Sequence, residues 1–178
     1  MSMSAEQTVP VTLVLGGAAS GKSRFAQGLA ECRPGPLLYV ATAQAGDDEM
    51  AGRIARHRQA RGERWRTLEA PLDLTVLATA AAGHGAVLVD CATLWLTNLL
   101  LAGGSAEAVW PAVEAFIATF DRLPAPLILV SNEVGQGIVP EHALARAFRD
   151  LAGQVNQRLA ARADRVWLVA AGLPLALK

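Results

Sequence analysis

The chain has no surplus of either charge: its 178 residues hold 16 lysines and arginines against 16 aspartates and glutamates. Tight binding to nucleic acid or to an acidic membrane surface needs a cationic excess, and that class of partner is not expected. Cysteine is scarce as well, with only Cys32 and Cys91. They stand far apart, and neither has a His or a second Cys at metal-ligand spacing, so no zinc site or redox pair is expected and both read as ordinary buried thiols. The sequence lacks an uninterrupted apolar stretch of membrane-spanning length, and residues 1–10 lack the basic start and apolar run of a secretory signal. A cytoplasmic chain with small-molecule partners and no membrane span is the expectation. Repeats, low-complexity tracts and long linkers are missing too; Arg33-Pro34-Gly35-Pro36, Gly103-Gly104 and Leu123-Pro124-Ala125-Pro126 only punctuate joins.

What is present is apolar material, 52% of the chain, enough to bury a core without disulfide or metal staples. Residues 11–178 are expected to form one domain behind a flexible polar leader, residues 1–10. The run Val11-Thr12-Leu13-Val14-Leu15 has the length and continuity of a strand buried on both faces. A glycine-rich turn follows it, and Phe25, Ala26 and Leu29 then recur at helical spacing. Further strand-like runs lie at 37–41, 86–90, 127–131 and 166–170, and the spacing predicts helices over 48–61, 72–82, 93–101, 106–121 and 141–162. Alternating strands and helices imply an α/β fold with a mostly parallel sheet flanked by helices.

The turn after the first strand reads Gly16-Gly17-Ala18-Ala19-Ser20-Gly21-Lys22-Ser23, a complete P-loop at a strand-to-helix junction. Its backbone N–H groups can cradle phosphate oxygens, with glycines letting the chain curl without side-chain clash. Lys22 is positioned for the β and γ phosphates, and the Ser23 hydroxyl for Mg²⁺. Asp90 closes the run Ala86-Val87-Leu88-Val89 at the edge where open α/β sheets bind ligands, and suits the Mg²⁺ shell; it also suits a helix cap. His57 has Arg53 and Arg61 four residues to either side and Arg58 adjacent. That arrangement fits either a solvated basic helix face or a neutral imidazole beside a phosphate chain, able to attack phosphorus. His84 and His142 read as surface residues. Ser131-Asn132-Glu133-Val134-Gly135-Gln136-Gly137-Ile138-Val139-Pro140 leaves a strand end as a loop fit for substrate contact or for simple turn chemistry. Asp150-Leu151-Ala152-Gly153 matches a GTPase fragment, but it falls within a predicted helix and no Asn-Lys-x-Asp guanine reader occurs, which argues against a Ras-type switch.

With these pieces in order, the chain from Val11 to Lys178 resembles the bifunctional adenosylcobinamide kinase/adenosylcobinamide-phosphate guanylyltransferase family of cobalamin biosynthesis. The matching stretches are Gly16 to Ser23, Tyr39-Val40-Ala41-Thr42-Ala43, Asp47-Asp48-Glu49-Met50 through His57, Val89-Asp90-Cys91 with Leu96-Thr97-Asn98-Leu99, Asn132-Glu133-Val134-Gly135 with Gly137-Ile138-Val139-Pro140, Phe148-Arg149-Asp150 with Gly153 and Asn156, and Ala171-Gly172-Leu173-Pro174-Leu175. The resemblance implies a RecA-like P-loop NTPase fold in a homotrimer. It implies phosphorylation of adenosylcobinamide by ATP or GTP, then transfer of GMP from GTP through a guanylylated histidine, His57. It places GTP contacts on Gly16, Gly17, Ala18, Ala19, Ser20, Gly21, Lys22 and Ser23, on Ala41, Thr42 and Ala43, on Arg58, Gln59, Ala60 and Arg61, and on Glu69 and Asp90. One departure is visible: the family usually carries Arg where this chain has Ala19. A simple kinase without a covalent nucleotide, or a non-catalytic nucleotide-gated binding module, are the other readings of the same P-loop.

Overall fold

Consecutive residues of a strand point to opposite faces, so a run that is apolar throughout can sit only in a sheet covered on both sides. The first strand, β1 (Val11–Gly16), is buried along its whole length. Leu13 faces one apolar cluster and Val14 the other, and Val87 and Leu88 divide in the same way. The computed structural model describes residues 9–43 and 62–178. The helix expected over 48–61, with His57, Arg58, Gln59, Ala60 and Arg61, lies outside the described residues, as do residues 1–8.

Within those bounds β1 leads to α1 (Lys22–Glu31), β2 (Leu37–Ala41), β3 (Trp65–Glu69), α2 (Leu77–Ala80), β4 (Ala86–Asp90) and α3 (Ala92–Gly103). Then come α4 (Trp110–Ile117), β5 (Leu127–Asn132), α5 (Ala143–Arg162), β6 (Arg165–Ala170) and β7 (Leu173–Ala176). One seven-stranded sheet results, in the order β3-β2-β4-β5-β1-β6-β7. Every pairing is parallel except β6 with β7. The α/β class and the five expected strands are thus present. Among the described residues, no helix is long and apolar enough to cross a membrane.

Trp95, Phe116 and Phe120 form a chain of edge-on ring contacts in the larger core, on the face that also buries Leu151, Val155 and Leu159 of α5. The other face buries Ala26 and Ala30 of α1 against Val14, Leu37 and Val130. Three expected helices differ from their predicted extents. The Ala-rich segment 72–82 yields only the four-residue α2, because Asp73 Oδ1 accepts from both the Thr75 N–H and its hydroxyl and holds the approach in a turn. The segment 106–121 divides into 3₁₀ turns at Glu107–Val109 and Phe120–Arg122 around α4, whose start is marked by Pro111 in the first turn. α3 runs past its expected end at residue 101 to Gly103, and Gly104 caps it in the left-handed region with φ 74.

Two strands were not expected. β3 is an edge strand with only Trp65 and Leu68 partly covered, so it has no apolar run to announce it. β7 contains Pro174, a residue that suits an edge strand but weakens a sequence-based strand reading. It joins β6 through the two-residue turn Ala171-Gly172, with φ 50 and φ 80, the backbone signature of a tight hairpin.

Candidate active site

The P-loop connects β1 to α1 at the carboxyl edge of the sheet. Gly21 precedes α1 with φ 92, and neither a side-chain cap nor an acidic residue occupies the helix start. The first-turn N–H groups and the positive end of the helix dipole are therefore left for an anion. Ala19 also lies in the left-handed region, with φ 55, so the loop curls there without a glycine. Gly16 is needed for space: an added Cβ would lie 2.5 Å from Ser20 Oγ and 2.6 Å from the Val169 carbonyl oxygen. The β6–β7 turn braces the loop from outside, with the Gly172 N–H donating to the Ser20 carbonyl at 2.8 Å. Lys22 is buried, and its Nζ donates to the Gly17 carbonyl at 2.9 Å. Ser23 is half-buried at the start of α1.

Sheet register brings the other expected residues to the same edge. Ala41 is level with Glu69 on one side and with Asp90 on the other, so the three form a row across β3, β2 and β4. β5 lies between β4 and β1. Asp90 is thus two strand spacings from the P-loop strand, about 10 Å across the sheet. The Tyr39 hydroxyl donates to Asp90 Oδ2 at 3.4 Å. Thr42 is fully buried, and its hydroxyl donates to the Cys91 carbonyl and accepts from the Cys91 N–H, both at 2.8 Å. Its hydroxyl therefore holds the β2 and β4 ends together, and Asn98 Nδ2 donates to its carbonyl at 2.8 Å. Ala43 is partly exposed beside it.

Between that row and the P-loop strand, at the end of β5, lies a second polar cluster. Glu133 follows β5, and its N–H donates to the Gly16 carbonyl at 3.0 Å. Its Oε1 accepts from Asn156 Nδ2 at 2.9 Å, while Asn156 Oδ1 accepts from the Ser131 hydroxyl at 2.7 Å. The Thr93 hydroxyl lies 3.4 Å from that of Ser131 and accepts from the Asn132 N–H at 2.7 Å. Glu133 and Gln136 share an open cleft of about 380 Å³ with Gly17, Ala18, Ser20 and Ala170. Sequence reasoning singled out the Asn132 loop but gave Glu133 no role of its own. The signal for one is a carboxylate directly after a buried strand at the ligand edge.

Two smaller expectations change. Cys32 is exposed, since it follows the last turn of α1, whereas Cys91 is buried as expected. Burial, and secondarily the Asp90 charge, push the Cys91 thiol pKa up. One thiol per folded chain is therefore expected to react with a disulfide reagent at pH 8, and two after denaturation; two fast thiols in the folded chain would contradict this placement. His84 is half-buried rather than on the surface, with Nδ1 enclosed and unpartnered among the described residues. His142 is exposed, as expected.

The comparison with known proteins bears on this edge. The sequence model of the cobinamide kinase/cobinamide phosphate guanyltransferase family matches residues 12–177. The chain belongs to this family. It is 49% identical to the bifunctional adenosylcobalamin biosynthesis protein CobU of Salmonella typhimurium, over 93% of this chain and 98% of that one. It is 50% identical to the bifunctional adenosylcobalamin biosynthesis protein CobP of Pseudomonas aeruginosa, over 93% of this chain and 96% of the other. Against CobU of Escherichia coli the identity is 46%, over 93% and 98%. For this cobinamide kinase/guanyltransferase chain, both family activities begin with a nucleoside triphosphate.

Proposed function

We propose that the chain phosphorylates adenosylcobinamide with ATP or GTP, then transfers GMP from GTP to adenosylcobinamide phosphate through His57, giving adenosylcobinamide-GDP and pyrophosphate. The observation that carries this is the uncapped amino end of α1, with Lys22 in its first turn, at the same sheet edge as the row Glu69, Ala41 and Asp90. The first transfer needs the triphosphate held and its γ phosphorus presented to an alcohol, work suited to backbone donors and an ammonium. In the second, an imidazole nitrogen of His57 attacks the α phosphorus of GTP and pyrophosphate leaves. A phosphate oxygen of the acceptor then attacks the same phosphorus, the N–P bond breaks, and the imidazole is restored. Arg58 and Arg61, with Gln59 and Ala60 between them, are proposed to hold the phosphates.

Among the described residues, no group of three or more His, Cys, Asp or Glu side chains could cage a metal ion. Mg²⁺ fits such a donor set, since it keeps waters and takes a hydroxyl or a carboxylate together with substrate phosphates. Ser23 and Asp90 are its proposed protein contacts, and the bound ion would neutralise phosphate charge. The working form is proposed to be a cytoplasmic homotrimer.

The test uses GTP labelled on the α phosphate, followed by denaturation. Acid-labile, alkali-stable label on the wild type and none on His57→Ala is the expected result. Absence of label from wild type that binds GTP would remove the covalent relay and leave a simple kinase.

A further inference from the structure

We infer that Glu133 is the general base of the phosphoryl-transfer step, held in position by Asn156; this deepens the kinase half of the proposed function and rests on it. A carboxylate beside an anion-binding loop repels the nucleotide, so its presence calls for a ligand that brings it a proton. Glu133 is fastened to the P-loop at its own backbone, through the N–H donated to Gly16. Its side chain is fixed separately. Asn156 is 6% exposed, and the Ser131 hydroxyl donating to Asn156 Oδ1 turns the amide so that Nδ2 faces Glu133. Oε1 is occupied by that bond, whereas Oε2 has no hydrogen-bond partner among the described residues. Among the described residues, Glu133 is the one titratable side chain lining the cleft it shares with Gly17, Ala18 and Ser20.

An alcohol entering this cleft meets an acceptor-only carboxylate on one side and the phosphate loop on the other. As its oxygen bonds to the γ phosphorus, the bond from that phosphorus to the β–γ bridging oxygen breaks and the nucleoside diphosphate departs. The hydroxyl proton passes to Glu133 and then to solvent. The guanylyl step needs no such base, because its acceptor is a phosphate that is already ionised. The two clusters accordingly divide the work, with Glu133 at the end of β5 next to β1, and Glu69, Ala41 and Asp90 on β3, β2 and β4.

The two half-reactions separate the roles in the full-length protein. Cobinamide with a γ-labelled nucleoside triphosphate reports phosphoryl transfer, and supplied cobinamide phosphate with α-labelled GTP reports guanylyl transfer. Glu133→Gln keeps an oxygen for Asn156 to donate to but cannot take a proton. Its phosphoryl-transfer kcat is expected to fall about 10²- to 10⁴-fold, with nucleotide KM unchanged or lower, since the repelling charge is gone. Guanylyl transfer is expected to stay near the wild-type rate, which also reports a folded chain. Glu133→Asp, which shortens the arm but keeps the base, is expected to recover part of the lost rate. Equal loss of both half-reactions, a rise in KM with kcat intact, or an Asp variant no better than the Gln variant would each overturn the assignment. Failure of the wild type to phosphorylate cobinamide would instead overturn the kinase reading itself.

Discussion

Lys22→Met is expected to lower the rate of both transfers by about 10³-fold in a chain that still folds. The side chain is 8% exposed at the start of α1, and its Nζ reaches back to the Gly17 carbonyl. Methionine keeps most of the stem volume but carries no charge. The same change removes the only charged donor of the P-loop. Loss of one preorganised neutral donor to a developing oxyanion already costs about 10²- to 10³-fold. A cation serving the β and γ phosphates contributes at the upper end of that range. Thermal melting of the nucleotide-free protein, together with the two half-reaction rates, checks both parts. A variant that lost activity only because it melted well below the wild type would contradict the account, as would one that kept either transfer.

A folded chain with lost chemistry marks a residue selected for the ligand rather than for the fold. Asn156 stands at the opposite pole. It is buried, accepts from Ser131 and donates to the Asn132 carbonyl at 3.2 Å as well as to Glu133. Its removal would strand several buried polar groups at once, so fold and function would be lost together.

These two residues also mark how far the sequence could be read. Lys22 was legible because a backbone cradle makes local demands: glycines at fixed offsets, a strand before them and a helix after. Asp90 was legible because it ends an apolar run. Glu133 and Asn156 are separated by 23 residues and meet only because α5 packs back along β1 and β5. No local pattern encodes that contact. The missed strands have the same origin. β3 draws its partner from β2 and its cover from the Trp65–Tyr39 ring contact, so Arg66, Thr67 and Glu69 can stay exposed without costing the strand its place. In the short α2 segment, alanine's helix propensity lost to the turn at Asp73, a side-chain preference acting over two residues. The Glu69–Ala41–Asp90 row shows the reverse case, since register alone joins to Asp90 two residues, Ala41 and Glu69, whose own sequence signals were weak.

Gly16→Ala is expected to lower stability by about 3 kcal/mol, the upper part of the range for forcing a methyl group into a filled site. The two contacts at 2.5 and 2.6 Å are not equivalent. Ser20 Oγ sits on a side chain that can rotate, although its hydroxyl is buried without a partner among the described residues. The Val169 carbonyl belongs to the β6 backbone, and Gly16 is level with Val169 in the β1–β6 pairing. Relief therefore requires either parting the ends of two central strands or pushing the P-loop outward. The first loses ladder hydrogen bonds. The second moves the loop's N–H groups away from the phosphates, and each charge-assisted bond lost lowers triphosphate affinity by about ten- to a hundredfold. Chemical denaturation and titration with a fluorescent triphosphate measure the two consequences separately. Both are expected to fall, because one carbonyl sets the position of strand and loop alike. Wild-type stability combined with wild-type affinity would mean that Gly16 is not the close approach on which this edge is built.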